Sequence, residues 1–267
     1  MTSAVASPAA LLAAYDAQLR LWVPAKPPVS PVYELEGSVL RVVGRTRGFV
    51  ETARDVGVRG ADLDALIRRH RDFFAARGEA VEWKTRSHDL PTDLAERLGA
   101  AGFVAEERET VVIGLTGPLA SAPTVPDGII LRRVTSRSDF ERIAALQTEV
   151  WGEDHSWLAD DLESSVGEAG DEVVIIVAEA GDRLVSSARL EFQPGTDFAG
   201  LWGGSTLSEW RGRGIYRALV AARAQLAAHR GVPYLQVDAS DDSLPILLRL
   251  GFEAVTTTTP YVWTPAD

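Results

Sequence analysis

Ser205-Thr206-Leu207-Ser208-Glu209-Trp210-Arg211-Gly212-Arg213-Gly214-Ile215-Tyr216-Arg217 is the stretch on which the reading of this chain turns. It ends a strand pattern, Ala199–Thr206, and opens the strongest helix pattern in the chain, Gly214–Arg230. Along that helix Ile215, Ala218, Leu219, Ala222 and Leu226 make an apolar stripe, and Gly231 stops it. Arg211–Gly214 can present successive backbone N–H groups beside the partial positive charge of a helix N-terminus, a cradle suited to a diphosphate. The glycines let backbone approach a ligand, and Arg211 and Arg213 can add charge-assisted bonds. The alternative for the same residues is a tight strand-to-helix turn with exposed arginines. Two other phosphate loops are excluded. No Gly-x-Gly-x-x-Gly follows the first strand, and no Gly-Lys-Ser/Thr occurs anywhere.

Working outward, Ile129–Val134 reads as a strand and Ser136–Val150 as a helix with Ser136 as N-cap and Ile143, Leu146 and Val150 on one face. A short helix is expected near Trp157–Val166, then a hairpin of Val173–Glu179 and Leu184–Phe192 across Gly181-Asp182. After the quoted stretch come a strand Tyr234–Ala239, a short helix Leu244–Leu250 and one or two closing strands over Phe252–Trp263. The order is mixed α/β, a central mixed sheet flanked by helices, and neither a Rossmann repeat nor a barrel.

The proline- and glycine-rich run Gly117–Gly128 reads as a linker that holds neither helix nor central strand. It divides the chain into a first domain 1–117, a linker 118–128 and a second domain 129–267. The first domain looks like a reduced copy of the second. An amphipathic helix with Leu11, Leu12, Tyr15, Leu19 and Trp22 on one face leads to strands around Val32–Val43 and Phe49–Thr52. Then follow a helix Leu63–Ala76, a strand Ala80–Thr85, a helix Thr92–Ala100 and a strand Thr110–Leu115. The Leu98-Gly99-Ala100-Ala101-Gly102-Phe103 ending echoes Leu250-Gly251-Phe252, which suggests a divergent internal duplication.

Charge separates the halves. Up to Gly117 there are 15 Lys and Arg against 16 acids; beyond it, 12 Arg, no Lys and 22 acids. That acidity argues against nucleic-acid backbone binding, which needs clustered cations. The nine arginines between Arg41 and Arg77 (Arg45 among them), set against five acids, read as a solvated face rather than a phosphate-binding surface. The 267 residues contain no cysteine, which excludes disulfides, zinc ribbons, iron–sulfur clusters and a cysteine nucleophile. No His/Asp/Glu spacing reads as a metal site. Met1–Ala4 has no basic leader pattern, and no apolar run is long enough to span a bilayer, so a cytoplasmic protein without membrane association is expected.

With this order of elements, residues 129–267 resemble the GNAT superfamily of acyl-CoA N-acyltransferases. The resemblance rests on Arg211-Gly212-Arg213-Gly214-Ile215-Tyr216, matching the family's Gln/Arg-x-x-Gly-x-Gly/Ala loop. Ser208-Glu209-Trp210 stands where the family often has Pro-Glu-Tyr, and Arg249-Leu250-Gly251-Phe252 lies near the end. A tandem of two such domains, the first degenerate, also occurs in the superfamily. The resemblance implies acetyl-CoA as co-substrate, lying between two splayed parallel strands. Gly204, Ser205 and Thr206 would meet its pantetheine arm, Gly212, Arg213, Gly214, Ile215, Tyr216 and Arg217 its pyrophosphate, and the family's asparagine slot falls at Ser240 or Asp241. Tyr216 departs from the family's small residue, so its ring must point away from the phosphates.

Catalytic groups are harder to place. The family's tyrosine slot holds Leu247, and its glutamate slot on the fifth strand holds Gln236. Asp238 shares a strand face with Gln236 and could accept the amine proton; the alternative is a strand-end turn acid. Glu191 and His155 are the other candidates, the alternatives being a solvent-facing acid and a loop cap. Trp151, Trp157 and Trp202 could wall an acceptor pocket or simply pack. Nine acids and no Lys or Arg lie between Glu149 and Glu172, and among them Glu153 and Asp154 are the pair expected to attract a cationic amine or a basic peptide terminus. Three functions remain open: acetyl transfer to a primary amine, acyl-CoA binding without turnover, and a scaffold. The Arg211–Gly214 loop opposes the last, and Leu247 keeps the second alive.

Overall fold

The structure is a computed structural model and describes residues 7–27, 30–44 and 47–265. Met1–Ala4 and Arg45 lie outside the described residues. Contacts group the chain into two compact units, one of residues up to Val112 with Asp238–Pro245 and the segment from Glu253 on, the other of Ile113–Val237 with Ile246–Phe252.

The first unit opens with α1 (Pro8–Gln18), where the Ser7 hydroxyl accepts the Ala10 N–H and Pro8 occupies a position whose N–H needs no partner. Then come β1 (Val32–Glu36), β2 (Val39–Val43), β3 (Gly48–Thr52), α2 (Gly60–Ala75), β4 (Val81–Arg86), α3 (Leu94–Ala100) and β5 (Val104–Ala105). The strand β6 (Glu109–Leu115) gives its last three residues to the second unit. There, α4 (Thr116–Leu119) precedes β7 (Ile129–Val134), α5 (Arg137–Trp151), α6 (Leu158–Ala169), β8 (Val173–Ala180), β9 (Arg183–Phe192), β10 (Phe198–Thr206), α7 (Ile215–His229) and β11 (Tyr234–Ala239). Last are α8 (Leu244–Arg249) and β12 (Glu253–Trp263).

Three expectations change. The start of the expected linker is one helical turn, α4, with Pro118 inside it, where its missing N–H costs nothing. The closing strand β12 pairs with β4, from Thr258↔Arg86 to Trp263↔Val81, and so belongs to the first unit rather than to a contiguous second one. On α7 the buried face is Ile215, Ala218, Leu219, Val220, Arg223, Ala224 and Ala227; Ala222 and Leu226 are only half-buried.

Strand order in the first unit is β1-β2-β3-β4-β12-β6, with β5 on β12. Its core is Trp83, Phe74, Leu63, Ile67 and Leu98, beneath α2 and α3, each side chain contributing about 1.5–3 kcal/mol by burial. The parallel pair β3/β4 is in register only from Gly48↔Val81 to Val50↔Trp83. Beyond it the protein fills the gap with its own groups. Glu51 pairs with Arg86, the Tyr15 hydroxyl accepts from Arg86, and Arg20 donates to the Thr52 carbonyl at 3.2 Å and to Asp89 at 2.6 Å. Further on, Leu90 bonds Arg54 and Val56 through backbone at 2.8 and 2.9 Å, closing the gap. Arg41, Arg47, Arg59, Arg69, Arg71 and Arg77 each meet a carboxylate, as expected of a solvated face.

The two Gly-Phe endings match in detail. Gly102 and Gly251 have φ of 90° and 96°, and the Phe103 and Phe252 N–H groups bond the Leu98 and Leu247 carbonyls at 3.0 and 3.1 Å. Both are left-handed helix stops with a buried phenylalanine behind them. The second unit carries β11-β10-β9-β8-β7, with α5 capped by Ser136 as expected and Gly181 at the hairpin turn with φ 58°.

Candidate active site

Strand β10 is held differently on its two edges. Against β9 it runs antiparallel through Thr206↔Ser186, with a bulge between Trp202 and Ser205. Against β11 the parallel register covers only Phe198↔Tyr234, Ala199↔Leu235 and Gly200↔Gln236. From Leu201 onward the two strands part, so the β11-facing backbone edge of β10 is available to an extended ligand. The bulge contains Gly203, whose φ of 58° a β-branched or bulky residue would not accept, and Gly204. Side chains of Ser205 and Thr206 are already used: Ser205 donates to Gln147 at 2.7 Å and Thr206 meets Ser186 at 2.8 Å. The Ser205 carbonyl also accepts from the Ser186 hydroxyl at 2.7 Å.

The loop after β10 is anchored by the Leu207 N–H on the Val185 carbonyl at 3.0 Å. Arg211 Nε donates back to the Thr206 carbonyl at 3.1 Å, while Arg213 stacks over the Trp210 ring at 4.5 Å. Gly212 and Gly214 adopt φ of 73° and 90°, and no side chain caps α7. A Cβ at Gly212 would meet nothing, and one at Gly214 only the Arg217 guanidinium, 3.4 Å away. Uncapped N–H groups, an open approach and three exposed arginines (Arg211, Arg213 and Arg217) fit a diphosphate. Ile215 is buried as the helix anchor. The Tyr216 ring lies against Gly204, away from the loop tip.

On the other side of the bulge lies a cavity of about 190 Å³ whose lining includes Gln147, His155, Trp157, Ser187, Arg189 and Gly203. The Ser187 hydroxyl is buried there without a partner among the described residues. Nδ1 of His155 lies 2.9 Å from the Glu153 carbonyl, which can only accept, so Nδ1 is the donor and, in the neutral ring, Nε2 the acceptor. Arg189 sits between Glu191 at 2.6 Å and Asp161 at 3.8 Å.

The sequence candidates separate. His155 and Trp157 line the cavity. Glu191 is committed to Arg189 and lies in register with Gly200, where the strands are still paired. Asp238 is bound to Lys84 with its side chain almost fully buried, in the first unit. That placement opposes a base and favours a structural ion pair. Trp151 is exposed, its Nε1 donating to Gln147 and Ser205, and Trp202 folds over Gly200. The Ser240 hydroxyl bonds Ser243 in the turn before α8, and Leu247 is fully buried.

Most acids of the 149–172 segment face arginines: Glu149 meets Arg183, Asp160 and Glu163 meet Arg137, and Glu172 meets Arg230. Glu153 and Asp154 are exposed, and the Ser156 N–H and hydroxyl hold the Asp154 carboxyl below its usual range. Sequence reading missed Gln147, Ser187 and Arg189. The signal was Ser186-Ser187-Ala188-Arg189, small and polar residues in the middle of an otherwise apolar strand.

Parallel central strands that part beside a glycine-turned, uncapped helix N-terminus define a GNAT-type fold. Residues 137–252 match the model of the acetyltransferase (GNAT) family. A GCN5-related N-acetyltransferase from Kribbella flavida superposes with a TM-score of 0.66 at 17% identity, covering 89% of this chain and 91% of that one. A tandem GNAT protein from the clavulanic acid biosynthesis pathway gives 0.61 at 16% identity, over 92% and 86%. A functionally unknown conserved protein from Staphylococcus epidermidis gives 0.67 at 13%, over 90% and 96%. A comparison with curated protein sequences finds no match. Residues 137–252 thus form a GNAT-family acetyltransferase domain, and over both units the chain shares the fold of a tandem GNAT protein. No helix among the described residues is long and apolar enough to cross a membrane, and none of their His, Asp and Glu side chains cluster as a metal site.

Proposed function

We propose that the second domain transfers an acetyl group from acetyl-CoA to a primary amine. The observation that carries this reading is the continuity of one strand. The edge of β10 that β11 leaves free runs directly into the Arg211–Gly214 loop and the α7 N-terminus. Backbone of Gly204, Ser205 and Thr206 would hold the pantetheine arm, and Gly212 to Arg217 the pyrophosphate. The thioester is already activated, so positioning does most of the work.

His155 is the base this reading favours over Glu191 and Asp238, because in the neutral ring Nε2 is the nitrogen left to accept a proton and the ring lines the cavity beside Gly203. The acceptor is a cationic small molecule or a basic peptide terminus. Arg189, which lines the cavity, is countered by Asp161 and Glu191, and Glu153 and Asp154 stand exposed on the neighbouring loop. Buried Leu247, in the family's proton-donor slot, supports the second reading, acyl-CoA binding without turnover.

Calorimetry with acetyl-CoA and a thiol-release assay against spermidine, glucosamine, tryptamine and an amino-acid amide test both. Binding with release supports transfer, binding without release the second reading, and no binding refutes both.

A further inference from the structure

Tyr216 and Arg223 stand two turns apart on α7. The Tyr216 ring packs on the bulge, its Cε2 3.2 Å from where a Gly204 Cβ would stand. That contact is possible because the bulge offers a glycine there, and it sets the ring where β10 has parted from β11. The Tyr216 hydroxyl makes no hydrogen bond among the described residues and is not sealed from solvent.

Arg223 is 1% exposed and meets no carboxylate among the described residues. Its Nε bonds the Leu219 carbonyl at 3.1 Å, one turn back towards Tyr216, and its Nη1 bonds the Arg189 carbonyl at 3.1 Å. Nη2 is buried without a partner among the described residues. Burial pushes this guanidinium down to about 10, and Tyr216 is the group that works against the shift. Burial likewise raises the Tyr216 phenol, keeping it protonated at neutral pH. A sequestered cation with no counter-ion is costly to keep unless a negative charge forms nearby in some state of the protein.

We propose that Tyr216 is the catalytic acid of the transfer reaction, giving its hydroxyl proton to the departing sulfur, and that Arg223 stabilises the phenolate left behind. The assignment rests on the acetyl-transfer reading above. In the step, the amine nitrogen bonds the thioester carbonyl carbon and its proton passes to His155 Nε2. The C–S bond breaks with its electron pair on sulfur, sulfur takes the Tyr216 proton, and the proton held by His155 passes through solvent water to the phenolate. Leu247 has no proton to supply; Tyr216 stands beside Gly204 on the parted strand.

The test compares Tyr216→Phe with wild type in two readouts. By calorimetry near pH 9, where much of a thiol is ionised, wild type binds CoA at least about fivefold more tightly than desulfo-CoA, which lacks the sulfur. The variant loses that preference, because the hydroxyl donates a charge-assisted bond to sulfur. With acetyl-CoA and the fastest amine of the panel, the variant's kcat falls about a hundredfold while its acetyl-CoA affinity stays within about twofold. An undiminished preference for CoA in the variant, or an unchanged kcat, overturns the role of Tyr216 alone. Failure of wild type to bind acetyl-CoA overturns the acetyl-transfer reading, and this assignment with it.

Discussion

Replacing Lys84 by Met separates a structural from a catalytic role for Asp238. Lys84 on β4 and Asp238 at the end of β11 form an ion pair with side chains 11% and 2% exposed. Glu51, Tyr15 and Arg86 are close enough to act on Lys84 electrostatically. Asp238 also acts on Glu109, whose carboxyl burial first, and Asp238 second, push up to about 7. The methionine keeps the length of the lysine stem but removes the ammonium, leaving a buried carboxylate in surroundings that already hold Glu51 and Glu109. Breaking such a pair from one side costs about 3–5 kcal/mol. For units of this size about 2–4 °C accompanies each kcal/mol, so the melting temperature falls by roughly 6–20 °C.

Removing both charges, with Lys84→Met and Asp238→Leu together, recovers most of that loss, since neither charge is then left without its partner. Urea melts of wild type, both singles and the double close the cycle. Alongside them, Asp238→Asn keeps kcat within a few-fold. A base at that position would instead cost about 10²–10⁴ in kcat with stability intact. A Lys84→Met protein within about 1 kcal/mol of wild type, together with such a kcat loss, would refute the argument and return Asp238 to catalysis.

Gly214→Glu puts a negative side chain where backbone must approach a diphosphate, at a φ of 90°. Acetyl-CoA affinity then falls at least about tenfold, roughly 1.4 kcal/mol, with the fold retained by circular dichroism. One acetyl-CoA binds per chain in calorimetry, because Asp55–Asp62, the first domain's loop entering α2 and the counterpart of Arg211–Gly214, bonds its Gly57 N–H to its own Asp55 carboxylate at 2.8 Å; a stoichiometry near two would contradict this. With a cationic acceptor, Glu153→Gln with Asp154→Asn raises KM far more than it lowers kcat, and the salt dependence of kcat/KM flattens. His70, buried with both ring nitrogens unpartnered among the described residues, has its pKa pushed down to about 4, chiefly by burial. The unfolded chain binds that proton first as pH falls through about 6.5, so stability declines between there and about pH 4, by roughly 3 kcal/mol in all. The decline is flatter in His70→Phe, and equal slopes would contradict the assignment.

Local order in this chain is written in local chemistry. Ser136 before a helix, Gly181 in a hairpin and the Gly-Arg-Gly run before α7 act on residues within one turn of themselves, so their patterns can be read without the fold. The same holds for the two Gly-Phe stops, whose left-handed glycines and 3.0 and 3.1 Å backbone bonds repeat a local device. A motif of that kind also forms the turn proposed as a diphosphate cradle, and carries the resemblance to the family.

What tertiary structure decided are pairings between residues far apart in sequence. Whether Asp238 is a base or a structural carboxylate depends on Lys84, which lies 154 residues away and meets it only after β4 is in place. The gap between β3 and β4 is filled by Tyr15 and Arg20 from α1, and nothing near Glu51 in the chain announces this. His155 acquires meaning only beside Ser187 and Arg189, and the acids of α5 and α6 lose much of theirs once Arg137, Arg183 and Arg230 are seen to face them. Strand period and helix caps are short-range effects. Charge compensation and desolvation are set by whichever groups the completed fold brings within a few ångströms, and the chain order does not encode that separation.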